Sequence, residues 1–128
     1  MRLAGFGCRY VPAARVRHVG SASLGKSSDF AAYHGHRNVV WAFAKNMPAA
    51  LLPLTVLPHL AMNALVVIVF ALRGRGRVIL RAKRDAFAGL PRMLAKRRSI
   101  QSGRRTSAAA ITASASPSRL ASVRYCAR

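Results

Sequence analysis

A long uncharged run constrains the fold of this chain more than any other feature. Residues 46–72, between Lys45 and Arg73, contain no Asp, Glu, Lys or Arg and are apolar along most of their length. A helix needs about 20 apolar residues to cross a hydrocarbon core of about 30 Å. We therefore predict that residues 48–72 form an apolar membrane segment.

Prolines divide this segment and leave two structures open. Pro48, Pro53 and Pro58 recur at every fifth position, and the longest proline-free piece, 59–72, would be about 21 Å long as a helix. One possibility is a proline-kinked helix that spans the membrane. The other is a break near Pro58, with two shorter helices that enter and leave the same leaflet.

The charge of the chain indicates an anionic partner. There are 22 Lys and Arg against 2 Asp and Glu in 128 residues, which gives a formal net charge of +20. Nucleic acid is one candidate partner, but basic chains that only coat nucleic acid are usually polar throughout, and this one is 52% hydrophobic. Adjoining apolar and basic segments favour anionic membrane lipids instead.

The scarcity of carboxylates excludes several kinds of chemistry. Asp29 and Asp85 are far apart in sequence, so there is no Asp-x-Asp for a divalent metal and no nearby pair for general acid–base catalysis. Cys8 and Cys126 form neither a Cys-x-x-Cys motif nor a disulfide framework. A self-contained hydrolase or nucleotide-dependent enzyme is therefore not expected.

Composition predicts a mainly α-helical chain in five segments. The first has two stretches that alternate as half-buried strands do, followed by a loop rich in Gly and Ser. The last is rich in Ser and Ala without a period, which predicts a disordered tail. The segments are short strands and loop at 1–28, an amphipathic helix at 29–47, the apolar segment at 48–72, basic amphipathic helices at 73–98 and the tail at 99–128.

The helix predicted at residues 29–47 carries the single Trp of the chain. Ser28 or Asp29 is expected to cap it, and Trp41 falls within its polar face at 100° per residue. A Trp among cationic side chains suits the headgroup region of a membrane. It is equally consistent with a soluble helix packed on a core, with Trp41 half exposed, so both interpretations stay open.

The basic segment predicts headgroup binding. Apolar side chains interleave with its Lys and Arg at roughly helical spacing, and Gly89-Leu90-Pro91 predicts a break between two helices. A basic amphipathic helix directly after an apolar segment is typical of binding to anionic lipids. The predicted membrane-binding residues are Trp41, Arg73, Arg75, Arg77, Arg81, Lys83 and Arg84.

One histidine is placed as a site residue would be. His18 lies at the end of a predicted strand and just before the loop 20–25, so it is a candidate metal ligand. The loop could hold a phosphate through backbone N–H groups. It matches neither Walker A nor the Rossmann fingerprint.

Several short motifs occur in order over about residues 1–100: Val16-Arg17-His18-Val19-Gly20-Ser21, Tyr33-His34-Gly35-His36-Arg37-Asn38, Lys45-Asn46-Met47-Pro48, Leu72-Arg73-Gly74-Arg75-Gly76-Arg77 and Gly89-Leu90-Pro91. As an ordered set they resemble the C-terminal part of family-2 glycosyltransferases, in the bacterial rhamnosyltransferase-like branch. The resemblance does not extend to the tail.

This resemblance implies that residues 1–28 are a β-hairpin-like remnant of a GT-A-type α/β catalytic domain, which binds a nucleotide-sugar and Mg²⁺ or Mn²⁺. It implies that His18 approaches the metal and the diphosphate. It also implies a donor loop containing Gly20, Ser21, Ser23, Gly25 and Lys26. The family's Asp-x-Asp and catalytic base match no residue here. We therefore expect an inactive fragment with no cofactor of its own, from a truncated gene or a misplaced start codon.

The expected function is the membrane-associating part of an enzyme that transfers a sugar, with rhamnose suggested by the branch, to a cell-envelope glycan or lipid-linked acceptor. The alternative is a stand-alone cationic membrane-binding protein without enzymatic activity. Nucleotide-sugars are cytoplasmic and both flanks of the apolar segment are basic. The expected location is therefore the cytoplasmic face of the cytoplasmic membrane, with a monotopic or re-entrant segment broken near Pro58.

Overall fold

The structure, a computed structural model, describes residues 2–6, 11, 13–15 and 28–114. Of these described residues 81% are helical and none forms a strand, so this part of the chain is mainly α, as predicted. A short 3-10 turn at Arg2–Ala4 and another at Ala49–Leu51 accompany five helices: α1 (Asp29–Asn46), α2 (Leu52–Leu72), α3 (Gly76–Ala88), α4 (Leu90–Ser102) and α5 (Ala108–Ser114).

Helix α1 begins with the cap that the sequence predicts. The Ser28 side chain accepts a hydrogen bond from the Ala31 backbone N–H at 3.1 Å, which satisfies one of the free donors of the first turn. At the other end, the Met47 N–H donates to the Phe43 carbonyl before the backbone becomes extended.

Helix α2 runs without interruption through Pro58, so the break expected there is absent. Pro48 lies before the helix and Pro53 in its first turn, where a missing N–H costs nothing. Only Pro58 removes an internal hydrogen bond, a cost of about 3 kcal/mol. Packing of the flanking turns offsets this cost, since the His59 ring stacks on Phe43 with centroids 3.9 Å apart. The 21 residues of α2 extend about 31 Å.

Two glycines mark the ends of α2 and α3. Gly74 follows α2 with a φ of 71°, in the left-handed region that reverses the chain into α3. Gly89 separates α3 from α4, and Pro91 lies in the first turn of α4. The break between the two basic helices is therefore where the sequence predicts it.

Helix α1 lies alongside α3 and α4 and runs in the same direction. The Arg75 side chain, just before α3, contacts Asp29 at the start of α1 at 2.6 Å. At the far end, Arg97 of α4 donates to the carbonyl of Met47 at 2.6 Å. The small core between these helices is formed by Val40, Ile79, Ala82, Ala86 and Met93.

Helix α2 packs against α1 and α3 in the opposite direction. Its C-terminal part meets the N-terminal part of α1, where the Phe70 and His36 rings lie 5.2 Å apart edge to face. Its N-terminal half meets the end of α1 through His59 and Phe43. None of its residues is fully buried, so much of its surface has no partner within the bundle.

The C-terminal segment is ordered further than predicted. Helix α4 continues through Ser102, where the predicted tail had already begun, because Gln101 donates to the Asn46 carbonyl of α1 at 3.1 Å. The Arg105 N–H then donates to the Leu3 carbonyl at 2.8 Å. Residues 115–128 lie outside the described residues. So do most residues of the strands predicted in 8–19 and nearly all of the loop that follows them, and the described residues 11 and 13–15 form no strand.

Candidate functional site

The outward side of α2 is a continuous apolar surface. Large side chains there are exposed by 51 to 84% although they belong to the most hydrophobic part of the chain. At 100° per residue five of them lie on one side of the helix, opposite the polar side chains of His59 and Asn63. Leu60 lies between this side and Asn63 and lines a cavity together with Asn63. We call this surface the apolar face; it consists of Leu54, Leu57, Leu60, Leu65, Ile68 and Leu72.

The apolar face continues onto α3. Leu80 and Phe87 are each 57% exposed, and at 100° per residue they share a side of α3. Phe87 lines a cavity together with Leu60 and Ala64 of α2, so this side of α3 adjoins α2. The exposed apolar surface therefore extends across two neighbouring helices.

Three arginines border this surface on α3. Arg77, Arg81 and Arg84 lie one helical turn apart and share a shallow groove with Leu80. The side chains of Arg81 and Arg84 are 72% and 76% exposed, although the Arg84 guanidinium lies 2.9 Å from Asp85 Oδ1 and that of Arg81 lies 4.0 Å from Asp85 Oδ2. Both groups therefore remain accessible from solvent while they border Asp85. We call these three residues the arginine stripe. Arginine binds phosphate with paired hydrogen bonds, which makes this stripe suited to lipid headgroups.

Two of the other predicted cations have different surroundings. Arg73 is exposed at the C-terminal end of α2. Arg75 is tied to the protein, because its guanidinium donates to Asp29 Oδ1 from Nε at 2.9 Å and from Nη2 at 2.6 Å. Arg75 therefore joins the start of α1 to the start of α3.

Lys83, which the sequence groups with the surface cations, is buried. It shares a face of α3 with Ile79, Ala82 and Ala86 and is only 8% exposed. Its ammonium group donates to Asn63 Oδ1 in α2 and to the His36 carbonyl in α1, the latter at 3.3 Å. Burial lowers the pKa of Lys83. It joins three helices and is shielded from a headgroup at the surface.

Trp41 is half-buried against α3 and α4. Its indole N–H donates to the Ala86 carbonyl at 2.9 Å, and the ring lies against Gly89. On its outer side the Arg37 guanidinium lies over the ring, 4.4 Å from its centroid. This position matches the alternative of a helix packed on a core with Trp41 partly exposed.

The remaining predicted site residues lie outside the described part of the chain. These are the metal candidate His18 and the donor-loop residues Gly20, Ser21, Ser23, Gly25 and Lys26. Among the residues that the structure describes, no three His, Cys, Asp or Glu side chains lie close enough together to hold a metal ion.

One helix of the described residues, Ala49–Leu72, is long and apolar enough to cross a membrane, with a mean hydropathy of 2.1. By itself this length and composition is weak evidence, because core helices of soluble proteins can share it. Comparison of the chain with protein-family models, curated proteins and solved structures gave no match.

The sequence indicates His59 as a buried or interfacial polar residue among leucines, but its pairing with Asn63 in α2 was not predicted. His59 and Asn63 are four residues apart on the inward side, and Asn63 Nδ2 donates to the His59 carbonyl at 2.6 Å. Two polar residues at this spacing within an apolar helix are the signal that could have located them. Their partner Lys83 could not be located in this way, since it is one of many cations in its segment.

Proposed function

We propose that this protein binds the surface of anionic membranes, with α2 lying in the plane of the membrane. The observation that carries this proposal is the apolar face bordered by the arginine stripe. In this orientation the apolar face would contact lipid acyl chains in place of water, while Arg77, Arg81 and Arg84 would reach the lipid phosphates. This arrangement is typical of an interfacial helix, whose apolar groups enter the acyl region while its cationic groups lie in the adjacent headgroup region.

The packing of the helices favours this orientation over a spanning one. A spanning α2 would have its two ends on opposite sides of the membrane, yet the helices that precede and follow it lie side by side. The ion pair of Arg75 with Asp29 and the hydrogen bond from Arg97 to Met47 join these helices at both ends. To keep these contacts around a spanning α2, the arginine stripe would have to enter hydrocarbon, which costs several kcal/mol for each charge.

Sedimentation with vesicles tests the proposal. We expect the protein to bind vesicles of phosphatidylglycerol and phosphatidylcholine more strongly than vesicles of phosphatidylcholine alone. Added salt should reduce this preference because it screens the arginines. The apolar contribution should keep most of the protein on the anionic vesicles at high salt. Release of most of the protein by a high-salt wash would mean that the apolar face does not enter the membrane.

Two matched variants separate the contributions. Replacing Arg77, Arg81 and Arg84 with Met should weaken binding by about 3 kcal/mol, about a hundredfold, at about 1 kcal/mol for each cation near the surface. Replacing three exposed cations of α4, Arg92, Lys96 and Arg98, removes the same charge and should weaken binding less. Equal losses would show that only net charge matters.

A single charge tests the apolar face. Leu57→Glu places a carboxylate at the centre of the surface that we expect to enter the acyl region, so binding at high salt should be lost. Asn38→Glu, on an exposed part of α1, adds the same charge and should leave binding at high salt unchanged. Equal binding of the two variants would contradict the assignment of the face.

The wider role that we propose is membrane attachment of a family-2 glycosyltransferase. Support for it is the ordered set of motifs over about residues 1–100. An open reading frame upstream of the Met1 codon that encodes Asp-x-Asp and an acidic catalytic base would support it, whereas stop codons in every frame would favour the stand-alone membrane-binding protein. Purified 1–128 with Mg²⁺ or Mn²⁺ should transfer no sugar. Metal-dependent turnover abolished by His18→Ala would overturn that expectation.

A further inference from the structure

A cavity of about 260 Å³ lies between α1, α2 and α3. Its buried end contains Val40, 9% exposed, and Lys83, 8% exposed. Its mouth contains Leu60 and Phe87, which are 51% and 57% exposed and belong to the exposed apolar surface. Nearly all of the accessible surface of the cavity is therefore apolar, and its one cationic side chain, Lys83, lies at the buried end. The complete lining is Val40, His59, Leu60, Asn63, Ala64, Val67, Lys83 and Phe87.

Two polar groups in the lining have unused hydrogen-bonding capacity. The Lys83 ammonium has three N–H donors, and within the described residues it has two acceptors, Asn63 Oδ1 and the His36 carbonyl. His59 Nε2 is buried and has no hydrogen-bond partner among the described residues. Buried polar atoms are rarely left unpaired, because each such atom costs about 1–3 kcal/mol. An acceptor placed in the cavity would satisfy the third N–H of Lys83, and it would satisfy His59 in the tautomer that carries the proton on Nε2.

The charge and shape of the cavity define the acceptor. Lys83 needs a single negative charge, since a buried cation is stabilised by pairing with one anion. A carboxylate offers two oxygens, one for the remaining N–H of Lys83 and one for His59 Nε2–H. A doubly charged phosphate would leave an excess negative charge against an almost wholly apolar lining. The apolar mouth accepts a hydrocarbon chain and opens beside the apolar face of α2.

We propose that this cavity binds the carboxylate of a single-chain fatty acid. The head pairs with Lys83 and His59, and the chain leaves between Leu60 and Phe87 to lie along α2. The site depends on contacts within the helical bundle, so it does not require that the protein binds anionic vesicles.

Titration with dodecanoate labelled with ¹³C at the carboxyl carbon tests the site. The titration is done once with the protein in buffer and once in phosphatidylcholine nanodiscs. Binding of dodecanoate can therefore be measured even if the protein does not bind anionic membranes. We expect a shifted carboxyl resonance that saturates at one equivalent, and dodecanol at the same concentration should not displace it. Displacement by dodecanol would show that only the hydrocarbon chain is recognised and would overturn the proposal.

Matched lysine variants identify the cation. Lys83→Met should weaken dodecanoate binding about tenfold or more, because it removes the charge-assisted hydrogen bond. Lys96→Met removes an exposed lysine of α4 and should leave the affinity unchanged. If both variants weakened dodecanoate binding equally, the loss would be due to net charge alone, and the proposal would be overturned. Vesicle binding by Lys83→Met should equal that of the unmodified protein.

A second variant keeps the test decisive if Lys83→Met disturbs the fold. The single indole N–H resonance of Trp41, which reports its hydrogen bond to Ala86, shows whether each variant is folded. His59→Phe preserves the stacking on Phe43 and removes Nε2. It should retain the indole resonance and weaken dodecanoate binding, whereas unchanged affinity in this folded variant would overturn the site.

Discussion

Gly89 shows how one residue sets the packing of α1 against α3 and α4. A Cβ atom at this position would lie 2.6 Å from Cζ2 of Trp41, closer than real Cβ contacts, so either the indole or the backbone would have to move. The short side chain allows the Trp41 indole to reach the Ala86 carbonyl. The φ of Gly89 is −83°, which any residue can adopt. Glycine is therefore needed here because the Trp41 ring lies so close to the backbone, and not because of an unusual backbone conformation.

We predict that Gly89→Ala destabilises the protein by about 1–3 kcal/mol, the usual cost of overpacking. Gly35→Ala is the matched control, because nothing lies within 4 Å of its added Cβ in the middle of α1. That control should stabilise by about 0.5–1 kcal/mol through helix propensity. Chemical unfolding followed by circular dichroism measures both. Similar effects of the two substitutions would mean that Trp41 does not pack on Gly89.

Asp85 links α3 to α1, and its titration gives the clearest expected dependence of protein stability on pH. The Tyr33 hydroxyl donates to Asp85 Oδ2 at 2.6 Å, and the Arg84 guanidinium lies 2.9 Å from Oδ1. The hydrogen bond from Tyr33, followed by that from Arg84, lowers the pKa of Asp85. An acid whose pKa is lower in the folded state stabilises the protein above its unfolded pKa, and this contribution disappears as pH falls through the folded pKa.

We therefore predict that the melting temperature falls as the pH is lowered below about 4, the region where a free Asp titrates. Tyr33→Phe should raise the pKa of Asp85 and make this fall smaller. Carboxyl ¹³C resonances measured against pH report the titration of Asp85 directly, since the chain has only two Asp and Glu side chains. An unchanged pKa in Tyr33→Phe would exclude the hydrogen bond.

At the scale of the element, α2 combines an unfavourable residue with an unpartnered surface. Pro58 lies inside the helix, while Pro53 lies in the first turn, so the two prolines differ in cost although they occur in the same apolar segment. The helix is maintained by contacts on its inward side, including the ring stack of His59 on Phe43 and the hydrogen bond from Lys83 to Asn63. Packing on one side thus determines the shape of the whole helix.

Pro58→Ala should stabilise the protein by up to about 3 kcal/mol, because it restores an internal hydrogen bond and removes the clash of the ring with the preceding turn. Pro53→Ala, in the first turn, should change stability by less than about 0.5 kcal/mol. Thermal unfolding of the two variants under identical conditions gives the comparison. Equal stabilities would indicate that α2 is broken or kinked near Pro58.

At the scale of the whole molecule, the direction of the helices decides how a membrane can be approached. Because α1 and α3–α4 run in parallel on the same side of α2, the apolar face points away from the rest of the described structure. The cations of the stripe lie at its border and not at its two ends. This arrangement is consistent with the proposed monotopic attachment. Because both flanks of α2 are basic, we predict that both lie on the cytoplasmic side.

We predict that single cysteines at positions 26 and 102, with Cys8 and Cys126 replaced by Ser, are both protected from an impermeant thiol reagent in intact cells. Both should react with a permeant reagent, which controls for accessibility of the thiols. Labelling of either position from outside would contradict the monotopic arrangement and establish a spanning α2.

The sequence by itself was sufficient for features that depend on neighbouring residues. It predicted a cap for α1 at Ser28 or Asp29, the break at Gly89 and the apolar helix before a basic one, because caps, turn residues and hydrophobic periods act over one or two helical turns. The resemblance to glycosyltransferases remains a prediction. The sequence did not predict that α4 continues beyond residue 98, because this continuation depends on a contact between Gln101 and Asn46 of α1, which is distant in sequence.

Only the tertiary structure decided which cations are exposed and which are buried. Lys83 and Arg84 are adjacent and equally charged in the sequence, but α2 covers Lys83, whereas the Arg84 side chain is 76% exposed and pairs with Asp85 on its own helix. The continuity of α2 through Pro58 was likewise decided by side chains of α1 and α3. The physical reason is the same in both cases: burial depends on what another helix places against a residue, and local sequence cannot specify a partner that lies 20 or more residues away.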